Sequence, residues 1–118
     1  PSHQEVEMME LVGDIKGKTC IIFDDMIDTA GSLCAAKEAL IEAGANPDVY
    51  AIATHSIFSG PAIERLKKAA FKEVIVTDTI ATDPKAFEGL TIVPIAPLLA
   101  EVIQSVDKGE SVTKIYDK

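Results

Sequence analysis

Short apolar runs alternate along this chain with stretches whose apolar residues recur every three or four positions. Thr19 to Phe23 (TCIIF) is a continuous apolar run rich in β-branched residues, and it reads as a strand buried on both faces. After an acidic turn, Leu33, Ala36, Leu40 and Ala43 line one face, which predicts a helix from about Ala30 to Ala43. Gly44 follows where a left-handed residue closes a helix. Asn46-Pro47-Asp48 is a turn into a second strand, Val49 to Thr54. The cycle then repeats. Ser59-Gly60-Pro61 puts Pro at a first helical position, and Ile63, Leu66 and Ala70 mark a helix ending near Ala70. Glu73 to Thr77 (EVIVT) is a third strand and Thr91 to Ile95, with Pro94 inside it, a fourth. Leu98, Leu99, Val102, Ile103 and Val106 make an amphipathic helix that Lys108-Gly109 stops. Ser111 to Tyr116 (SVTKIY) alternates as a terminal strand would.

Strands alternating with helices of this length imply βαβ units. The expected fold is α/β, a mostly parallel twisted sheet flanked by helices. At the start of the chain, Val6, Met9 and Val12 share a helical face, whereas Met8 to Val12 also suits a hairpin strand against Thr19 onward. The strand is the preferred reading. No repeat, low-complexity tract or linker interrupts the pattern, so residues 1–118 read as one domain.

Composition narrows the partners. Hydrophobic residues make up 47% of the 118 and charged residues 25%, an ordinary globular balance, and with no Trp and 5% aromatics the core must be aliphatic. Nineteen acidic against eleven basic residues give a net charge of −8, which disfavours a nucleic-acid partner. If the chain handles phosphates, the balancing cations come from a metal or from another segment. Cys20 and Cys34 fit neither a metal knuckle nor a disulfide framework; buried free thiols in a reducing cytosol are expected, and a cytoplasmic location with them. The longest apolar run, Ile92 to Ile103, is broken by Pro94, Pro97 and Glu101, so no membrane span is expected. The first residues do not resemble a signal peptide, and a start at Pro1 rather than Met suggests a fragment or processed product.

The chemistry concentrates in Phe23-Asp24-Asp25-Met26-Ile27-Asp28-Thr29-Ala30-Gly31-Ser32. Ligands of open parallel sheets bind beyond the carboxyl ends of the strands, and this loop sits at such an end. Two adjacent carboxylates, Asp24 and Asp25, call for a compensating partner, for which sugar hydroxyls or a bound Mg²⁺ would serve. Asp28-Thr29-Ala30-Gly31-Ser32 opens the helix. Its small residues would let backbone N–H groups converge on a phosphate at the positive end of the helix dipole. Asp28 is expected to cap the helix or brace the loop. Plain capping accounts for Asp28-Thr29 alone, but neither capping nor a solvated turn calls for the whole string.

IIFDDMIDTAGS resembles the PRPP-binding motif of type I phosphoribosyltransferase-fold proteins. VGDIKGKTCIIFDDMIDTAGSLCAAKEALIEAGA, ATHSIFSGPAIERL, VIVTDTI, PLLAEVI and GESVTKIYD resemble, in that order, the C-terminal half of the ribose-phosphate pyrophosphokinase (PRPP synthetase) family. The resemblance spans nearly the whole chain, and the THSIFSGPA and GESV segments make it specific to the synthetases. It implies a phosphoribosyltransferase-like, Rossmann-like domain forming part of a two-domain enzyme. Asp24 and Asp25 would hold the ribose 2- and 3-hydroxyls, and Asp28, Thr29, Ala30, Gly31 and Ser32 the 5-phosphate. The reaction implied is transfer of diphosphate from ATP to ribose 5-phosphate with Mg²⁺, giving PRPP. The family's ATP site, a pyrophosphate-contacting His and a Lys- and Arg-bearing loop belong to the preceding half. This chain alone is therefore expected to bind ribose 5-phosphate without turning it over, with no catalytic residue of its own assigned and its metal ligands unassigned. The family also implies dimers and hexamers.

Smaller features carry less. His55 reads as a hydrogen-bonded structural residue, His3 as idle, and Lys67, Lys68 and Lys72 as a solvated face. Ser59-Gly60-Pro61 suits helix initiation as well as a second anion site. Ser111, Thr113 and Tyr116 match tail positions that, by the resemblance, help form an allosteric ADP/phosphate site between subunits, with Thr113, Ile115 and Tyr116 departing from the usual S-V-S-x-L-F. Two alternatives stay open: a PRPP-consuming phosphoribosyltransferase, and a non-catalytic regulator of the synthetase.

Overall fold

The computed structural model describes residues 13–117. Four strands run in chain order across one sheet: β1 (Ile21–Ile27), β2 (Tyr50–Ser56), β3 (Glu73–Thr77) and β4 (Leu90–Val93). Every neighbouring pair is parallel, with Ile21 opposite Tyr50, Tyr50 opposite Glu73 and Val74 opposite Leu90. Helices α1 (Gly31–Glu42) and α2 (Ala62–Ala69) form the first two crossovers, and α3 (Ala96–Asp107) and α4 (Thr113–Tyr116) follow the last strand. The α/β fold with a mostly parallel sheet is as the sequence pattern predicts.

The core lies on one face of the sheet. Val74 and Val76 on β3 and Ala51 and Ala53 on β2 are almost completely buried, while their pleat neighbours Glu73, Ile75, Tyr50 and Ile52 are only half-buried. Leu33 of α1 and Ala62 and Leu66 of α2 join them in one apolar cluster. Both helices close as their sequences demand. Gly44 has φ +95°, and Ala70, with φ 54°, ends α2 by donating its N–H to Leu66 O.

Several boundaries and one whole element differ from the sequence reading. β1 is an edge strand among the described residues, with Ile21 51% and Phe23 72% exposed, so the expectation of burial on both faces fails. An unbroken apolar run signals a strand without saying which faces are covered. β1 also runs on through Asp24 to Ile27, because its register with β2 continues to Ser56. Pro61 sits one residue outside α2, as its N-cap, and β4 stops before Pro94, which has no N–H for the ladder. The expected terminal strand is one turn of helix, α4. Ser111 Oγ accepts the Thr113 N–H at 3.1 Å, a local side-chain bond that turns the backbone away from an extended path. The hairpin or helix proposed for Val6 to Val12, and His3, lie outside the described residues.

α3 forms as predicted but contributes no buried residue; Ile103 is 68% and Val106 66% exposed. This contrast with α2 is testable. Leu66→Ala should destabilise the chain by about 2–5 kcal/mol through the cavity it leaves, whereas Ile103→Ala should stay within about 0.5 kcal/mol. Urea unfolding of the two variants beside the parent chain measures both.

Candidate functional site at the end of the first strand

The residues between β1 and α1 are fixed by a neighbour rather than by themselves. Ile27 O accepts the N–H groups of Ile57 and Phe58, both at 3.0 Å, and Asp28 O accepts that of Ser59 at 2.9 Å. Arg65, on α2, donates from Nη1 to Thr29 O at 3.2 Å. Three successive carbonyls are thus held by the segment that leaves β2. Ala30 then turns the chain into α1 with φ 66° and ψ 8°, a left-handed conformation that is uncommon for a residue with a Cβ. It is 5% exposed, and its own carbonyl accepts the Cys34 N–H at 3.0 Å.

Ala30 is the N-cap of α1, and no side chain caps this helix. The expectation that Asp28 caps it therefore fails: the turn enters the helix two residues later, and Asp28 meets its neighbours through its carbonyl. The first amides of a helix have no intrahelical acceptor. With no side chain taking one, they remain available to an anion at the positive end of the helix dipole.

Asp24, together with the run from Met26 to Leu33, lines an open hollow of about 140 Å³. This is below the roughly 300–1,000 Å³ usual for drug-sized ligand pockets, so the hollow holds part of a small ligand rather than enclosing a whole one. The hollow brings together Asp24, Asp28, Thr29, Ala30, Gly31 and Ser32. Asp25 is not part of its lining. Adjacent residues of a strand point to opposite faces, so the two carboxylates are not a pair converging on one point. Asp25 is nonetheless tied in, since its N–H donates to Asp24 Oδ1 at 2.8 Å.

Arg65 is the residue that sequence reasoning misses. Nothing in its spacing separates it from Lys67 and Lys68 on the same helix; only the packing of α2 beside α1 brings it to Thr29. Ser59 is legible as part of a helix start, while its grip on Asp28 requires the fold. His55, half-buried, shares a 2.7 Å hydrogen bond between Nδ1 and Thr79 Oγ1, and both Thr77 and Thr79 donate to Thr54 O. Ser56, almost fully buried, is 2.6 Å from Thr82 Oγ1. These bonds secure the segment after β3 against the carboxyl end of β2. Lys67 lies 3.8 Å from Glu64 on an exposed face.

Both cysteines are free and half-buried rather than buried, and Cys20 falls just before β1 instead of within it. The Cys34 thiol, in α1, is bonded to Arg65 O at 3.6 Å; burial pushes its pKa up, against the opposing pull of the Arg65 charge. Among the described residues there is no group of three or more side chains able to hold a metal ion. A cation here would rely on one or two carboxylates, water and a ligand's own oxygens, which is the habit of Mg²⁺. Of the tail residues Ser111, Thr113 and Tyr116, the first two are joined by the Thr113 N–H on Ser111 Oγ, and Tyr116 is 73% exposed. No helix among the described residues is long and apolar enough to cross a membrane.

The family model for the phosphoribosyl synthetase-associated domain matches residues 2–117. The chain belongs to this family. It is 47% identical over 117 residues to a ribose-phosphate pyrophosphokinase of Caldanaerobacter subterraneus subsp. tengcongensis, covering 98% of this chain and 37% of that protein. It is also 47% identical over 116 residues to the chloroplastic ribose-phosphate pyrophosphokinase 2 of Spinacia oleracea, of which it covers 29%. A crystal structure of phosphoribosylpyrophosphate synthetase from Mycobacterium smegmatis superimposes with a TM-score of 0.76 at 50% identity, over 83% of this chain and 33% of that one. The chain thus spans about a third of the length of the synthetases it matches.

A raised thiol pKa leaves less thiolate at a given pH. In a Cys20→Ser background, Cys34 should alkylate with iodoacetamide at pH 8 several-fold more slowly than free cysteine, and reach the same rate in denaturant.

Proposed function

We propose that this chain is the ribose 5-phosphate-binding part of a ribose-phosphate pyrophosphokinase. The observation that carries the proposal is the uncapped N-terminus of α1 beside Asp24 in one hollow: amides for an anion at one end, a carboxylate for hydroxyls at the other. Identity of 47% to ribose-phosphate pyrophosphokinases along nearly the whole chain supports it.

In this reading the 5-phosphate sits against Asp28, Thr29, Ala30, Gly31 and Ser32, held by backbone N–H groups and the Thr29 and Ser32 hydroxyls. Asp24 accepts bonds from the ribose 2- and 3-hydroxyls. Asp25 supports that contact from the next position, its N–H fixing the Asp24 carboxylate. The ribose C1 hydroxyl oxygen then attacks the β-phosphorus of ATP, and AMP leaves as the bond to its α-phosphate breaks. The work of these residues is to place the acceptor in line and immobile. Mg²⁺ would neutralise the phosphates, drawing on the Asp24 carboxylate, water and substrate oxygens.

ATP itself, and the basic groups that steady the transferring phosphates, are assigned to the part of the parent enzyme that precedes this chain. The exposed Phe23 and Ile103 agree with a chain that works in contact with other protein, in a homo-oligomer of the parent enzyme. Ser111, Thr113 and Tyr116 are proposed as contacts of an allosteric phosphate at a subunit boundary. The free thiols support a cytoplasmic setting.

Calorimetry with ribose 5-phosphate and Mg²⁺ tests the site. Asp24→Ala/Asp25→Ala should weaken binding about tenfold or more, as loss of charged hydrogen bonds does; equal heats from both proteins would refute the diol contacts. Supplied with ATP, ribose 5-phosphate and Mg²⁺, the 118-residue chain should form no AMP, and a measurable turnover would show that it is more than a half-site.

A further inference from the structure

The turn between β1 and α1 has one guanidinium against it, and its placement is specific. Arg65 Nη1 donates to Thr29 O at 3.2 Å, and a Cβ added to Gly31 would lie 3.0 Å from the same nitrogen. Gly31 has no left-handed backbone to explain it; what its missing side chain leaves room for is the Arg65 side chain. The arginine's own backbone is held twice, by Arg65 N–H on Pro61 O at 2.9 Å and by the Cys34 thiol on Arg65 O. Its helix is anchored by Ala62 and Leu66, 0% and 2% exposed, and by the Lys37 ammonium on Ala69 O. A long flexible side chain thus starts from a fixed base and ends on a carbonyl.

That carbonyl belongs to the peptide whose N–H is Ala30. All peptides described are trans, so the N–H points away from the C=O. Holding Thr29 O toward α2 turns the Ala30 N–H to the opposite side, and Ala30 is the residue that sits in the left-handed conformation. Alternating right- and left-handed residues make successive amides converge into an anion nest. Without a donor on Thr29 O, this peptide is free to flip and relieve the unfavourable φ of Ala30.

We propose that Arg65 is a positioning residue for phosphate recognition: it locks the Thr29–Ala30 peptide so that the Ala30 N–H is presented to the 5-phosphate, and it occupies the space that Gly31 keeps open. This rests on the ribose 5-phosphate reading of the same loop. It assigns to the β2–α2 crossover a part in a site that the β1–α1 motif alone is usually read to contain. The guanidinium acts through the peptide, and its charge adds a screened attraction for the phosphate dianion.

The test compares Arg65→Met, which keeps the apolar stem, and Arg65→Lys with the parent chain. Two readouts are taken: ribose 5-phosphate affinity by calorimetry, and the ligand-free backbone amide resonances and hydrogen exchange of Ala30 and Gly31. Arg65→Met should weaken binding about tenfold, in line with loss of one charge-assisted bond. It should also shift the Ala30 amide and speed its exchange several-fold, with Leu66 and Val74 unmoved. Arg65→Lys, which still offers a donor, should recover part of both effects. Wild-type affinity in Arg65→Met would overturn the proposal. So would weakened binding with an unmoved Ala30 amide, which assigns the effect to charge alone. If the parent chain itself does not bind ribose 5-phosphate, the underlying reading of the loop fails. The ligand-free Ala30 amide then still decides whether Arg65 locks the peptide.

Discussion

Three consecutive carbonyls, those of Ile27, Asp28 and Thr29, are held by one neighbouring segment, and the site depends on that arrangement. A strand that leaves its sheet loses ladder partners one by one, and each orphaned group must find another or remain wet. Here the next crossover supplies them: Ile57, Phe58 and Ser59 from the backbone, Arg65 from a side chain. The loop's conformation is therefore shared between residues some thirty positions apart. Only within such a frame is a left-handed alanine tolerable, since on its own that geometry costs on the order of 1–2 kcal/mol. The same arrangement leaves the α1 terminus uncapped, though Asp28, Thr29 and Ser32 all stand nearby. Short polar side chains at a helix start normally take an amide. Their failure to do so here keeps those donors for something else.

Much of this was legible in the chain before any coordinates. The third strand, Glu73–Thr77, is as predicted to the residue, because a short β-branched run, Val74-Ile75-Val76, bounded by polar residues reads as a strand. Gly44 and the span of α1 were equally readable from period and punctuation. The misses share a cause. β1 looked buried on both faces because composition records apolarity and not what lies above it, and Phe23 is in fact largely exposed. The tail alternated like a strand, but Ser111 carries a hydroxyl that bonds two residues on, and local bonding outweighed period. Arg65 was illegible for a stronger reason: its role exists only where two helices lie side by side, and neither helix records that in its own spacing.

Exposure carries its own information. Phe23 on the open face of β1 and Ile103 and Val106 on α3 are large apolar residues left in water. Scattered exposed apolar residues are ordinary. A sheet face and a helix stripe bare together are less so, because a parallel sheet normally has both faces covered. The synthetases that this chain matches are about three times its length. If this chain works as part of such a synthetase, substitutions on α3 report on that larger assembly, while those at Leu66 or Val74 report on the fold described here.

The crowd of carboxylates around a proposed anion site needs reconciling with its function. Asp24, Asp25 and Asp28 all lie within the same short stretch, and a free anion drawn to the start of α1 would feel their repulsion. The geometry separates the two requirements along the chain. Asp24 and Asp25 belong to the strand, where the sheet fixes them; the amides of residues 30 onward belong to the helix, a turn later. A ligand that is only an anion satisfies the second group and is repelled by the first. One that is only a diol satisfies the first and leaves the amides to water. A sugar phosphate answers both, and the carboxylates then act against bare phosphate competing for the loop. On this view the acidic residues select, the amides bind, and Arg65, by turning one peptide, keeps the two sets facing a common ligand.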